Sequence, residues 1–339
     1  MRLRTLAESD DIMSEQRTSD PVKSGHYGVP ATHLGEFVDL VVPLITECFR
    51  RSEPVIAIVS RDVEDQLRER LGEAGGAVSF HSPHVMLAGP AQTTVRNLAR
   101  VTNELIAAGP TTIISHYQPW TSVYEEALRE SLANIVFAST PLTLFCGCPE
   151  TFHGPATEVF HRGHPAFWSH PGALDNPGYC DPTTLLSDYP APPPEPLRGP
   201  DQQLDFDRND LRTLRRFVVH HGISHGLDGA DASELAVAAN EVATNSIMHG
   251  AGRGRLAVWH NPDQLIWEVR DSGQLNSAQF LGMVAPGPGD HRGRGLWLAR
   301  QIVDDLYIWH DQAGTGVRAT VNRRRSPPPN PWRAPFPPN

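Results

Sequence analysis

Cysteine is scarce in this chain of 339 residues: four thiols, Cys48, Cys146, Cys148 and Cys180, are too few for a disulfide framework. Long apolar runs are missing too. No stretch approaches the roughly 20 apolar residues that cross a bilayer, and the opening MRLRTLAESDD lacks the apolar core of a signal peptide. Basic residues are in deficit, 29 against 39 acidic, for a formal charge of -10. That balance disfavours a nucleic-acid backbone as partner. A helix-turn-helix signature is also lacking, which leaves a DNA- or methyl-group-sensing transcription regulator disfavoured. These absences point to a cytoplasmic location with no membrane and no direct nucleic-acid partner.

What is abundant is proline, 31 residues, many of them in two clusters. SDYPAPPPEPLRGPDQQ, residues 187–203, reads as a stiff, extended linker. The tail ending in PPPNPWRAPFPPN, residues 326–339, and the polar residues 1–25 read as disordered. A chain of this length, 39% apolar and 20% charged, then divides into two globular domains, residues 26–186 and 204–325.

In the first domain, residues 34–51 form an amphipathic helix that Pro43 is expected to kink. PVIAIVS (54–60) is a β-branched run of the kind buried in parallel sheets. A helix over 61–71 follows, then a strand over 77–80, a helix over 93–108, a strand over 111–115, a helix over 122–137 and a strand over 141–146. Residues 159–170 carry no decisive pattern. Strands alternating with helices predict a doubly wound, mostly parallel α/β sheet. In the second domain, helices over 207–221 and 231–250 precede strands over 255–260 and 264–271. A Gly/Pro-rich loop, a helix over 293–304, and strands over 306–310 and 316–322 complete it. That order predicts an α+β two-layer sandwich.

The helix DASELAVAANEVATNSIMHG, with Asp231 or Ser233 as its expected N-cap, carries Glu241, Asn245 and His249 at four-residue spacing. At 3.6 residues per turn these share one face. A carboxylate one turn from an amide oxygen can orient a nucleophile beside a hydrated Mg²⁺, although Glu and Asn on a helix more commonly just face solvent. Further along, a strand ends in Asp271-Ser272-Gly273. A carboxylate there can accept from an adenine amino group, and the glycine lets a flat base approach the backbone; an ordinary turn is the bland alternative. Gly293-Arg294-Gly295-Leu296 opens a helix whose free N–H groups suit an anion. Gly314-Thr315-Gly316 sits in the final hairpin.

These four segments, in this order, resemble the GHKL ATPases, whose members share the Bergerat fold, over about residues 206–322. The resemblance implies ATP and Mg²⁺ as ligands. Asn245 would hold Mg²⁺ against the ATP phosphates, Asp271 and Gly273 would take adenine, and Gly293, Arg294 and Gly295 would cradle phosphate. Thr315 corresponds to the closing Gly-Thr, and Glu241 would act as base for a serine hydroxyl. EVATNSIMH, VRDSG, GRGLWLARQIVDDLYI and GTGVRATV are closest in style to the compact anti-sigma-factor serine kinases. This implies protein serine/threonine kinase activity on a STAS-type anti-sigma-factor antagonist, binding of a sigma factor, and pairing as a homodimer. Leu275 departs from the second glycine of many relatives, which keeps a non-catalytic nucleotide-binding scaffold in view. A sensor histidine kinase is disfavoured, because His220-His221 lacks a preceding helical hairpin.

Residues 26–179 are similar to the MEDS sensory domain, which occurs ahead of such kinase domains. His33, the Leu-Phe-Cys strand and His164-Pro165 carry that likeness, with a P-loop-like sheet implied. No G-x-x-x-x-G-K-[ST] loop follows residues 55–59, so nucleotide hydrolysis is not expected there. Tyr117-Gln118-Pro119-Trp120 replaces an acidic Glu-Pro-Trp. Sensory candidates are His33, Cys146, Cys148 and His164. The Cys/His-rich run from 146 to 180 is read as buried thiols and loop histidines rather than zinc, since Cys-x-Cys is not the usual clip and the histidines follow no ligand spacing. Thiol redox sensing by Cys146 and Cys148 is the remaining alternative.

Overall fold

The computed structural model describes residues 25–83, 109–116, 122–138, 140–148, 154–273, 282–283 and 294–322. The helix expected over 93–108, the Tyr117–Trp120 motif, Gly293, Leu275 and both termini lie outside them. The chain forms two compact units, Met1–Tyr189 and Pro190–Asn339.

Unit 1 is built on a seven-stranded sheet in the order β3-β2-β4-β5-β1-β6-β7. The strands are β1 (Gly25–Val29), β2 (Val55–Val59), β3 (Ser79–His81), β4 (Thr111–His116), β5 (Leu142–Gly147), β6 (Ala166–Ser169) and β7 (Gly172–Asp175). All neighbours pair in parallel except β6 and β7. The apolar runs β2 and β5 are buried at every position, as expected of strands covered on both faces. Tyr27 of β1 stacks on Phe145 of β5 at 5.2 Å between ring centroids. On that face Tyr27, Phe145, Ala57 and Ile114 form one core with Phe37, Val38 and Val41 of helix α1 (Leu34–Arg50) and Val63 and Leu67 of α2 (Arg61–Leu71).

Side chains alternate along a strand, so His26 and Cys146 look the other way. There lies α3 (Val123–Phe137), capped by Ser122 and buried over most of its length. It packs with α4 (Pro155–Gly163) and α5 (Pro182–Asp188).

Pro43 lies inside α1, where the sequence placed it. Several boundaries change. The strand expected at 77–80 starts at Ser79, because residues 72–77, rich in glycine, take a 3₁₀ turn. The open stretch 159–170 divides into the end of α4 and strand β6. Strand β1 (GHYGV) was not legible, since two glycines interrupt any β-branched run.

Unit 2 has an antiparallel sheet, β11-β12-β10-β9-β8. Its strands are β8 (Gln202–Asp207), β9 (Arg253–His260), β10 (Gln264–Asp271), β11 (Asp305–Asp311) and β12 (Gly314–Asn322). Helices α6 (Leu211–His225), α7 (Gly229–His249) and α8 (Arg294–Ile302) supply the second layer. The core joins Leu235, Ala239 and Val242 of α7 to Leu256, Trp267, Val269, Val317 and Ala319 of the sheet. The first helix begins at Leu211 rather than 207, because residues 202–207 are already strand β8, paired with β9.

The outer sheet face is covered by the proline-rich segment itself. The Pro192 carbonyl accepts from the Tyr307 hydroxyl (2.8 Å), that of Glu195 from Arg318 Nη1 (2.9 Å), and that of Arg198 from Trp259 Nε1 (2.5 Å). An extended proline-rich backbone makes no internal hydrogen bonds, so its carbonyls are available to the sheet. Beneath it Arg318 pairs with Glu268 (2.8 Å), and Arg270 grips both carboxylate oxygens of Asp311 (2.9 Å each).

Candidate functional site

Helix α7 opens at Asp228, not at Asp231 or Ser233: the Asp228 carboxylate accepts from Asp231 N–H at 2.8 Å. The first turn, Gly229–Ala230–Asp231, is therefore already helical, and the acidic cap complements the helix dipole. Twelve residues on, Glu241 and Asn245 are half-buried, whereas His249, the last helical residue, is exposed.

Glu241 meets the start of α8. A methyl group placed on Gly295 would strike Glu241 Oε2, so the carboxylate rests directly against the start of α8. Arg294, one residue earlier, is exposed at the same helix N-terminus. Backbone N–H groups in a helix's first turn lack intrahelical partners, and here they lie beside the Glu241 carboxylate, itself one turn along α7 from Asn245. Acid and helix end thus meet in one locus, with the amide on the same face of α7.

The second locus lies at the ends of β10 and β12. Asp271 pairs in register with Thr315. Asp271 Oδ1 accepts from Gly273 N–H at 2.7 Å, and Thr315 Oγ1 donates to the Gly273 carbonyl at 2.9 Å. The loop after β10 is therefore held from both sides, with Asp271 Oδ1 committed to it. The buried Thr315 hydroxyl acts here by fixing the loop. Gly314 has φ of +123°, and a methyl there would lie 2.6 Å from Ser272 Cα. That conformation and that approach both require glycine.

Sequence reasoning missed Gly250. It ends α7 with φ of −97°, a conformation any residue adopts. Its lack of a side chain serves proximity instead: a methyl there would lie 2.6 Å from Asp271 Oδ1, and one on Gly273 would collide with the Gly250 backbone. Glycine at a helix end is a recognised signal, but it names the stop and not the contact. Gly282 was missed too; at φ of +72° it lies against the α8 backbone, where a methyl would sit 2.6 Å from Trp297 N.

Nearby histidines serve structure. His221 is buried in α6 against Phe217 and His260, at 4.5 and 5.2 Å between centroids. Burial, reinforced by His260 and His220, holds its pKa below the ordinary value.

Residues 204–321 match the family model described as histidine kinase-like ATPase domain. No curated protein matches the chain. Unit 2 accordingly carries a histidine kinase-like ATPase domain of the GHKL type, and among the described residues no helix is long and apolar enough to cross a membrane.

In unit 1 the sensory candidates separate. His33 is the N-cap of α1, its Nδ1 accepting from Glu36 N–H at 3.1 Å. Cys146 and His164 come together with His26, a residue not among the candidates. Burial pushes the Cys146 thiol well up, and lifts Cys148 to about 12. Neither is the ready thiolate that fast redox sensing requires.

Proposed function

We propose that this protein is an ATP-dependent serine kinase of the anti-sigma type. It phosphorylates a serine of a STAS-type antagonist and binds a sigma factor through unit 2, while unit 1 receives the signal that sets the exchange. The observation that carries the reading is the approach of Glu241 to Gly295, which sets a carboxylate beside a phosphate-binding helix terminus with Asn245 one turn away. The residues fit Mg²⁺-ATP. A methyl on Gly250 or Gly273 would collide with protein atoms, so these glycines let the end of α7 close on the turn after β10, and Asp271 keeps an acceptor for adenine. When bound, Mg²⁺ would neutralise phosphate charge, and Asn245 is the residue placed to hold it.

The chain's own contribution is positioning. Asp271, held by Gly273 N–H, orients the base, and the α8 terminus with Arg294 draws the phosphates. Glu241 accepts the proton of the incoming serine hydroxyl as its oxygen attacks phosphorus, and the phosphoryl group moves to that serine while ADP departs. Of the His220-His221 pair in α6, His221 is buried and His220 is exposed.

The test is phosphoryl transfer by the full chain from Mg²⁺-ATP to purified STAS-type antagonists. Acid-stable phosphoserine on the antagonist, reduced by about 100-fold or more in Glu241→Gln, is expected. Acid-labile phosphate on the chain itself would identify a histidine kinase. ATP binding with no transfer would leave a scaffold.

A further inference from the structure

The inner side of unit 1 holds a group of polar side chains that the kinase reading does not use. His26 of β1, Cys146 of β5, His164 after α4 and Glu130 of α3 are each more than nine-tenths buried. The ligand atoms of His26, Cys146 and His164 all lie within 4.8 Å of one another. His26 Nε2 is 3.3 Å from Cys146 Sγ and 3.5 Å from Glu130 Oε2, and His164 Nε2 is 3.3 Å from the same Glu130 oxygen.

The outer sides of both imidazoles are tied down. Asn134 Nδ2 donates to the Gly163 carbonyl at 2.7 Å, which fixes its Oδ1 as an acceptor 3.1 Å from His26 Nδ1. His26 therefore carries its proton on Nδ1 and presents the Nε2 lone pair inward. His164 does the same, with Nδ1 donating to the Phe160 carbonyl at 2.7 Å. Ser115 Oγ lies 3.4 Å from Cys146 Sγ and donates to it. Despite their proximity, Glu130 Oε2 and His164 Nε2 lack the geometry of a hydrogen bond, and each is buried with none. Two unsatisfied polar atoms in one buried site are costly unless something else takes their lone pairs. The arrangement is selected closely: a methyl on Gly163 would lie 2.9 Å from Glu130 Cβ, so α4 approaches α3 only because that residue is glycine.

We propose that His26, Cys146, His164 and Glu130 bind a divalent transition-metal ion of the zinc type. Tetrahedral zinc with bonds of about 2.0–2.3 Å places its ligand atoms about 3.3–3.6 Å apart, and the three separations above match those edges. The ligand atoms of His26, Cys146 and His164 lie within 4.8 Å of one another, so drawing these three to tetrahedral edges takes side-chain movement of about 1 Å. Two neutral nitrogens, a thiolate and a carboxylate make a borderline-soft set that suits zinc and disfavours Mg²⁺ or Ca²⁺. Binding releases the thiol proton and the carboxyl proton, and the two anionic ligands cancel the ion's charge, beside the buried Glu126–Arg129 pair of α3 (2.8 Å). Asn134 and the Phe160 carbonyl are the outer partners that metal-bound histidines require. This replaces the expectation of no zinc: the ligands come from four separate elements, so the Cys/His spacing near residue 146 could not reveal them.

The test uses the full chain, stripped of metal and titrated with Co²⁺, then with Zn²⁺ in competition. A thiolate-to-cobalt charge-transfer band with tetrahedral d–d bands, saturating at about one ion per chain and abolished by Zn²⁺, is expected. The band disappears in Cys146→Ser and persists in Cys148→Ser, and Asn134→Ala weakens Zn²⁺ binding about 10–100-fold. A folded wild-type chain that develops no band overturns the proposal, as does a band that survives in Cys146→Ser. Glu130→Gln, nearly isosteric, covers the case in which Cys146→Ser fails to fold: affinity unchanged by it would remove the carboxylate from the site.

Discussion

Asp271 is where a single atom does most to define the nucleotide site. One of its oxygens is committed to Gly273 N–H, so the other is the group left for a base. Asp271→Asn turns that acceptor into an amide and weakens ATP about 10–100-fold, the cost of a lost charge-assisted hydrogen bond; isothermal titration reads this directly. Gly250→Ala acts on the other oxygen of the same carboxylate, displacing Oδ1, and loses ATP affinity. At the same scale, His221 makes the stability of unit 2 depend on pH. Its folded pKa lies below the ordinary 6.5, so both states are neutral above that value and the full stability is present. As pH falls from about 6.5, the unfolded chain takes up the proton first and stability declines, by at most about 1.4 kcal/mol per pH unit. His221→Phe keeps the ring stack and flattens that slope in urea titrations across pH 5 to 7.

Helix α7 carries the acid and the amide, and its periodicity made both legible without any structure. Glu241 and Asn245 sit among Leu235, Ala238, Ala239 and Val242 at helical spacing, and one face followed from 3.6 residues per turn. Its start was misplaced because three candidate caps, Asp228, Asp231 and Ser233, lie within six residues, and propensity alone does not rank them. Asp228→Ala removes the cap and costs about 1 kcal/mol of unit 2 stability, read as a shift in the urea midpoint; the same change at Asp231 costs less. The proline-rich segment was read as a linker over 187–203, but its ends belong to α5 and β8 and its partners were invisible. Proline content reports backbone shape, whereas Tyr307, Arg318 and Trp259 lie on strands formed far away in sequence. Replacing residues 190–198 with Gly-Ser of equal length keeps the three carbonyl acceptors but removes the stiffness that holds them against the sheet. It lowers the melting temperature of unit 2 by about 2–8 °C.

At the scale of the whole molecule, two units of different architecture carry two different polar centres. The centre in unit 2 was legible because its residues occur as short ordered motifs, each on one element or one turn. That in unit 1 was not, because β1 has no strand signature and His26, Cys146 and His164 are joined only by the pairing of β1 with β5 and by the end of α4. Motif reading finds what is local. Burial of unsatisfied groups finds the rest. The parallel alternation of unit 1 and the helix-hairpin order of unit 2 were both visible, since period and β-branched runs mark them; β7 and β8 lack such marks.

The most direct test of the central claim is Mg²⁺-dependent ATP binding by the full chain beside its Asn245→Ala variant. The account predicts saturable binding that requires Mg²⁺ and falls at least about 100-fold in a variant that still unfolds cooperatively. A folded wild-type chain that binds no ATP, or a variant that binds it equally well, would contradict the assignment of the site.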